Sequence, residues 1–195
     1  MNQVTLQGRV AGIFSNTRGA VITLYVENGE AHDFPRVYFS GNKAEKAKEF
    51  KKGERVIVQG SLHTHLTTSK SHIPFVEQIV IGNSIDKLES SLSQVFGVDD
   101  GAVEFKNELL LSGLVSKVAS RNGVTIVTIL PDDESQLVQV ESFVASTSKL
   151  FADCKFGAHI CVKCELHTKR SERNGEVRFF QNAVVRWLNV DKPVI

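Results

Sequence analysis

Phe34, Arg36 and Tyr38 stand at alternate positions in the run His32 to Phe39. Alternate residues of an extended strand share a face, so two rings and a guanidinium are expected side by side. Rings stack on unpaired bases and cations pair with phosphates, which suits a surface that holds one nucleic-acid strand without reading its sequence. More of the same chemistry lies nearby. Tyr25 faces away from the Ile22/Leu24 side of its strand. Arg9 and Arg18 flank the first hairpin, and His63, His65 and Lys70 gather at a later one. Phe39 is placed in the core by alternation alone but stays a candidate contact. The second half offers Phe143, His167, Lys169, Arg170, Arg173 and Arg178, fewer rings and more charge. Each group has a plainer alternative. Phe34 and Tyr38 would equally cover a protein interface, Arg36 would solvate a strand, and Glu172 and Glu176 would make 169–178 an ordinary solvated loop.

Catalysis finds little support. Asp99-Asp100 and Asp132-Asp133-Glu134 lie in expected linkers or turns, without matched partners to converge on a metal. Glycine-rich phosphate loops and nucleophile elbows are absent from the sequence. Cys161 and Cys164 have the spacing of a zinc or redox pair, but an odd separation on a strand sends them to opposite faces; with Cys154 they are read as buried or half-buried thiols. Trp187, at the end of a strand, is read as structural. No cofactor, metal, small-molecule substrate or membrane is expected. Net charge is +1, split as +2 over residues 1–90 and −1 over 91–195, so any nucleic-acid site depends on local placement of charge. No stretch approaches the roughly 18 apolar residues of a membrane span. Nothing at Met1 to Val10 reads as a secretion signal, and a cytosolic setting, or a host's cytosol, is expected.

The elements that would position these residues occur twice. Leu62-His63-Thr64 returns as Leu166-His167-Thr168, 104 residues later. Gly19, Phe39, Gly53 and Val80 then fall on Gly123, Phe143, Gly157 and Val184, a duplicated domain rather than a solenoid unit. The first copy, 1–83, alternates as strands over Val4 to Val10, Ala20 to Val26 and His32 to Phe39. A short helix follows, with Asn42 and Glu45 as a capping box and Gly53 as its stop. Strands at Arg55 to His63 and Ile73 to Gly82 complete it. Gly8 is expected where the first strand bends. The second copy, 108–195, repeats the order with strands near Glu108 to Ala119, Val124 to Leu130, Leu137 to Phe143, Ala158 to Leu166 and Val177 to Leu188. Its helix is weaker through Ser146 to Ser148, with Leu150 and Phe151 as barrel plugs. Residues 84–107 read as a linker, with a short helix as one option. The fold expected is all-β with short helices: two tandem five-stranded oligonucleotide/oligosaccharide-binding (OB-fold) barrels.

On these motifs the chain resembles the bacterial and phage single-stranded DNA-binding protein family. The resemblance is carried by Asn2-Gln3-Val4-Thr5-Leu6-Gln7-Gly8-Arg9-Val10, Gly19-Ala20-Val21 and His32-Asp33-Phe34-Pro35-Arg36-Val37-Tyr38-Phe39. Ala44-Glu45, Phe50-Lys51-Lys52-Gly53 and Val56-Ile57-Val58-Gln59-Gly60-Ser61-Leu62 extend it. It covers about residues 2–82 and, more faintly, 108–188. It implies sequence-independent binding of single-stranded DNA during replication, recombination or repair. It also implies a homodimer, since two barrels per chain resemble the family's rarer dimeric form, with replication or recombination proteins as further partners. Leu66 or Thr67 stands where members often carry tryptophan. Trp187 to Ile195 lacks the family's acidic tip, so recruitment of partners through such a tip is not expected. The rival is an adaptor of the replisome or primosome built on the same barrel and acting through protein contacts. RNA remains an alternative ligand.

Overall fold

The computed structural model describes residues 1–28, 31–68, 74–88, 105–133, 136–173 and 176–190. The first half runs β1 (Asn2–Asn16), β2 (Gly19–Asn28), β3 (Ala31–Asp33), β4 (Arg36–Phe39), α1 (Asn42–Lys48), β5 (Arg55–Thr68) and β6 (Pro74–Lys87). Apolar residues at every second position of β1, β2 and β5 turn to one side, and Val4, Leu6, Val10, Ile22, Leu24, Val56 and Val58 are buried there. Pairing closes a ring in the order β1, β2, β4, β6, β5 and back to β1, with β4 and β6 parallel. The second half repeats it with β7 (Lys106–Arg121), β8 (Val124–Pro131), β9 (Val138–Ser142), α2 (Ala145–Ala152), β10 (His159–Arg173) and β11 (Glu176–Val190). Its ring runs β7, β8, β9, β11, β10 and back to β7. The chain is thus all-β with short helices, in two tandem five-stranded barrels. Closure satisfies most strand edges within each barrel, but the first halves of β1 and β7 each keep one side unpaired by their own barrel.

Several local expectations need correction. The run His32 to Phe39 is not one strand: it breaks at Phe34-Pro35, because proline has no N–H to give the ladder. Pro35 still accepts, from the Leu24 N–H at 3.0 Å. Asn42 does not cap α1; it is the first helical residue, no side chain caps the helix, and Gly41 precedes it with φ of 56°. Glu45 pairs instead with Lys48 at 2.7 Å. The helix ends at Lys48, well before Gly53. The Gly53 N–H donates to the Val10 carbonyl at 2.8 Å, and Gly157 does the same to Val115 at 2.8 Å. In α2, Phe151 is the buried plug while Leu150 is 50% exposed. Ser84 to Lys87, read as linker, belong to β6; residues 89–104 lie outside the described residues. At Gly8 and Gly113 an added Cβ would overlap the carbonyl oxygens of Tyr25 and Leu130, so both first strands need glycine where the neighbouring strand comes close.

The barrels join edge to edge. β1 pairs antiparallel with β7, from Asn2↔Leu111 to Gln7↔Lys106, which links the strands of the described residues into one eleven-stranded sheet. The seam is nearly two-fold symmetric. The Arg36 N–H donates to Gln181 Oε1 at 2.9 Å, and the Gln139 N–H donates to Gln78 Oε1 at 2.9 Å.

Hydrogen bonding also sets the true register of the repeat. Asn2 exchanges two bonds with the Leu62 backbone, and Asn107 exchanges two with Leu166. Val37 pairs with Val80, and Val140 with Ala183. The counterpart of Phe39 is therefore Ser142, and Phe143 answers Ser40. Likewise Ala183, not Val184, answers Val80, and Val124, not Gly123, answers Gly19. Sequence spacing holds for Gly53 and Gly157 and slips by one residue at the other three. One residue reverses a strand's faces. Phe39 is 0% exposed and Phe143 is 50% exposed. Phe39 is thus core and has no face to offer a ligand.

Candidate nucleic-acid interface

The structure divides the expected row Phe34, Arg36, Tyr38 among three surroundings. Tyr38, on β4, turns toward β5 and β6. With His63, Thr64, His65, Ile79 and Ile81 it lines an open cleft of about 370 Å³, to which the second barrel contributes Gln136. The Tyr38 hydroxyl donates to the Arg18 carbonyl at 2.8 Å, which fixes the ring against the first hairpin. His63 Nε2 lies 2.8 Å from Ser61 Oγ. Thr64 Oγ1 donates to the Leu137 carbonyl, so the seam between barrels forms one rim of the cleft.

Phe34 lies in the break between β3 and β4, where its backbone meets the other barrel. Its N–H donates to Thr168 Oγ1 at 3.2 Å, and the Thr168 N–H donates to Asp33 Oδ1 at 2.9 Å. Its ring meets Tyr25 edge-on at 5.7 Å between centroids, and Tyr25 also meets His32 at 5.2 Å and Phe105 at 6.0 Å. Tyr25 is thus engaged by other rings. Partial burial, followed by the Glu27 carboxylate beside its hydroxyl, raises its pKa. Phe34 keeps a 42% exposed surface.

Arg36 neither solvates the strand nor stands free for phosphate. Its guanidinium pairs with Glu77 and donates to the Phe179 carbonyl at 3.1 Å, tying β4 to β6 and to the second barrel. Arg9 and Arg18 are exposed at the first hairpin. Lys70 lies outside the described residues. In the second barrel Lys169 pairs with Glu141 at 3.1 Å and sits 5.0 Å over the Phe143 ring. Arg170 pairs with Glu172 at 3.1 Å. Arg178 and Arg173 lie on the β10–β11 hairpin, in ladder register with Ser171 and Glu176.

His167 bridges the barrels. Its Nδ1 is 3.1 Å from Asp33 Oδ2, while Glu165 and Arg186 approach its Nε2 at 3.5 and 3.3 Å. The Asp33 bond raises its pKa, against the opposing effects of burial and of Arg186. A histidine raised above its unfolded value stabilises the fold fully below that value, and the contribution fades as pH climbs through the folded pKa. The stability gap between the native chain and His167→Gln is expected to be widest near pH 6 and to shrink toward pH 9. Denaturant unfolding across that range measures it; a gap that widens with pH contradicts the assignment.

Sequence reasoning missed Gln136, His32 and Phe105, and the exposed rings Phe14 and Phe179 (67% and 49% exposed). His32 had a signal, since it adjoins Asp33 and Phe34. Gln136 had none, because only the docking of the barrels brings it to the cleft. Trp187 is 54% exposed, not packed. Cys164 is buried, which pushes its thiol pKa up, and Cys161 is half-buried. Asp132 accepts from Ser112 and His159, which hold its carboxyl well below the usual range. Among the described residues no cluster of histidine, cysteine and carboxylate groups is arranged to hold a metal, and no helix is long and apolar enough to cross a membrane.

No family profile matches the chain, and no curated protein sequence matches it. Its fold, however, is that of a solved single-stranded DNA-binding protein. The wild-type single-stranded DNA-binding protein of Thermus aquaticus superposes with a TM-score of 0.69 at 17% identity, over 98% of this chain and 93% of that one. A deletion variant of the Thermus protein gives 0.69 at 17%, over 100% and 96%. A Plasmodium falciparum SSB in complex with ssDNA is similar over 46% of this chain and 96% of its own, with a TM-score of 0.36 at 26% identity.

Proposed function

We propose that this chain binds single-stranded DNA without sequence preference, and that it protects and organises the strand rather than altering it chemically. The observation that carries the proposal is the open cleft of the first barrel, where Tyr38, His63 and His65 offer rings over an Ile79/Ile81 floor. Bases stack on such surfaces whatever their identity, at about 1–3 kcal/mol each. The exposed Arg18, whose carbonyl Tyr38 grips, supplies charge for phosphates at the cleft, and Arg9 is exposed at the far end of the same two-stranded ladder. The seam carries the strand toward Phe34 and the second barrel. The chain acts as a homodimer, in the cytosol or a host's cytosol, beside replication or recombination proteins.

The deciding experiment is titration of labelled oligo-dT with the full chain at low and high salt. Binding is expected at micromolar protein or below, weakening as salt rises because phosphate contacts release counterions. Absence of binding at low salt removes the proposal and favours an adaptor that contacts protein. The mass of the particle with and without oligo-dT tests the homodimer in the same preparation.

A further inference from the structure

The two barrels present counterpart surfaces with opposite chemistry. In the ladder register, the positions of Tyr38, His65 and Ile79 in the first barrel are held by Glu141, Lys169 and Asn182 in the second. Where the first barrel has an open cleft, the second has a closed polar network. Glu141 Oε1 accepts from Asn182 Nδ2 at 2.9 Å, and Oε2 takes the Lys169 ammonium at 3.1 Å. That ammonium lies over Phe143. The two groups best suited to a nucleic-acid strand here, an exposed ring and a cation, are thus engaged with each other. The Glu141 side chain is only 19% exposed, while Lys169 is 51% exposed. The anchor is the acid, and the lysine is the movable part.

We infer that Phe143 and Lys169 form a second, latent site for a base and its phosphate, and that Glu141 keeps it shut. The inference rests on the single-stranded DNA reading and assigns the second barrel a subordinate role within it. A phosphate that recruits Lys169 leaves the Glu141 carboxylate without its cation, close to the incoming negative charge. Loss of the pair and repulsion both oppose the exchange. The first barrel carries no such acid at the Tyr38 position, so it binds first.

Glu141→Gln tests this, because the amide oxygen still accepts from Asn182 while the charge is gone. In oligo-dT titrations followed by fluorescence anisotropy, the variant is expected to bind roughly tenfold tighter at low salt, the scale of one charge-assisted bond to phosphate. Its dependence of log affinity on log salt should steepen by about 0.7, one additional single-strand phosphate contact. Lys169→Ala should change native affinity by less than about threefold, as expected for an exposed pair, yet abolish the gain when added to Glu141→Gln. The inference falls if Glu141→Gln binds no tighter, or if Lys169→Ala costs the native chain as much as it costs the variant. Native binding with no gain on Glu141→Gln overturns the latent site alone. Failure of both proteins to bind overturns the DNA reading as well. Glu141→Ser, with the same Lys169→Ala comparison, decides the matter if the glutamine variant unfolds.

Discussion

Phe39→Ala is expected to lower the unfolding free energy by about 3–5 kcal/mol, the range for deleting a fully buried aromatic ring. That is a large share of the 5–15 kcal/mol that typically holds a domain together. The ring is 0% exposed and occupies space that Gly82 leaves open; a Cβ at Gly82 would overlap it. The second barrel fills the same space the other way round. Ser142 stands for Phe39 and Val185 for Gly82, at 0% and 2% exposure. Gly82→Val alone should therefore destabilise the first barrel severely. Phe39→Ser combined with Gly82→Val, which copies the second barrel's pair, should recover much of the loss, since cores tolerate exchanges that conserve volume. Urea unfolding of the single and double variants measures the coupling. A loss under about 1 kcal/mol for Phe39→Ala, accompanied by loss of oligo-dT affinity, would return this ring to the ligand and defeat the packing account.

The same pair shows what the sequence allows one to read. Alternation of apolar residues placed the strands and their inward faces, because a half-buried strand writes its period of two directly into residue order. Order alone, strand, strand, strand, helix, strand, strand, was enough for the barrel. Position within the repeat was less secure. Fixed spacing from Leu62/Leu166 matched Phe39 to Phe143, but loops of different length shift β9 by one residue, and one residue moves a side chain from core to solvent. Pro35 was a visible warning that His32 to Phe39 would not run unbroken. The fates of Arg36, Phe34 and Gln136 had no local signal. Each depends on residues distant in sequence: Glu77 and the Phe179 carbonyl for the Arg36 guanidinium, Tyr25 and Thr168 for Phe34, and the first barrel's cleft for Gln136. The basic stretch 169–178 looked like free charge because Glu141, which holds Lys169, arrives from a different strand.

Tyr38→Ala is expected to weaken oligo-dT binding by about 1–3 kcal/mol, the contribution of one stacked base, or roughly five- to 150-fold. Two roles must be separated at this residue. The ring faces the cleft beside His63 and His65, whereas the hydroxyl donates to the Arg18 carbonyl at 2.8 Å and steadies the first hairpin. Tyr38→Phe keeps the ring and removes only that bond, which is exposed and worth about 1 kcal/mol or less. If stacking carries the affinity, Tyr38→Phe should bind within about twofold of the native chain while melting slightly lower, and Tyr38→Ala should lose most of its binding. The stacking contribution resists salt better than phosphate contacts do, so the ratio of native to Tyr38→Ala affinity should persist at high salt even as both fall. Equal losses for Tyr38→Phe and Tyr38→Ala would mean that the hairpin's position, and with it Arg18, governs binding, and the cleft would lose its claim on a base. Phe34→Ala offers the contrast across the seam. Its ring packs on Tyr25, so a fall in melting temperature should accompany any fall in affinity, whereas an alanine at position 65 should leave stability intact because His65 is exposed at the cleft rim.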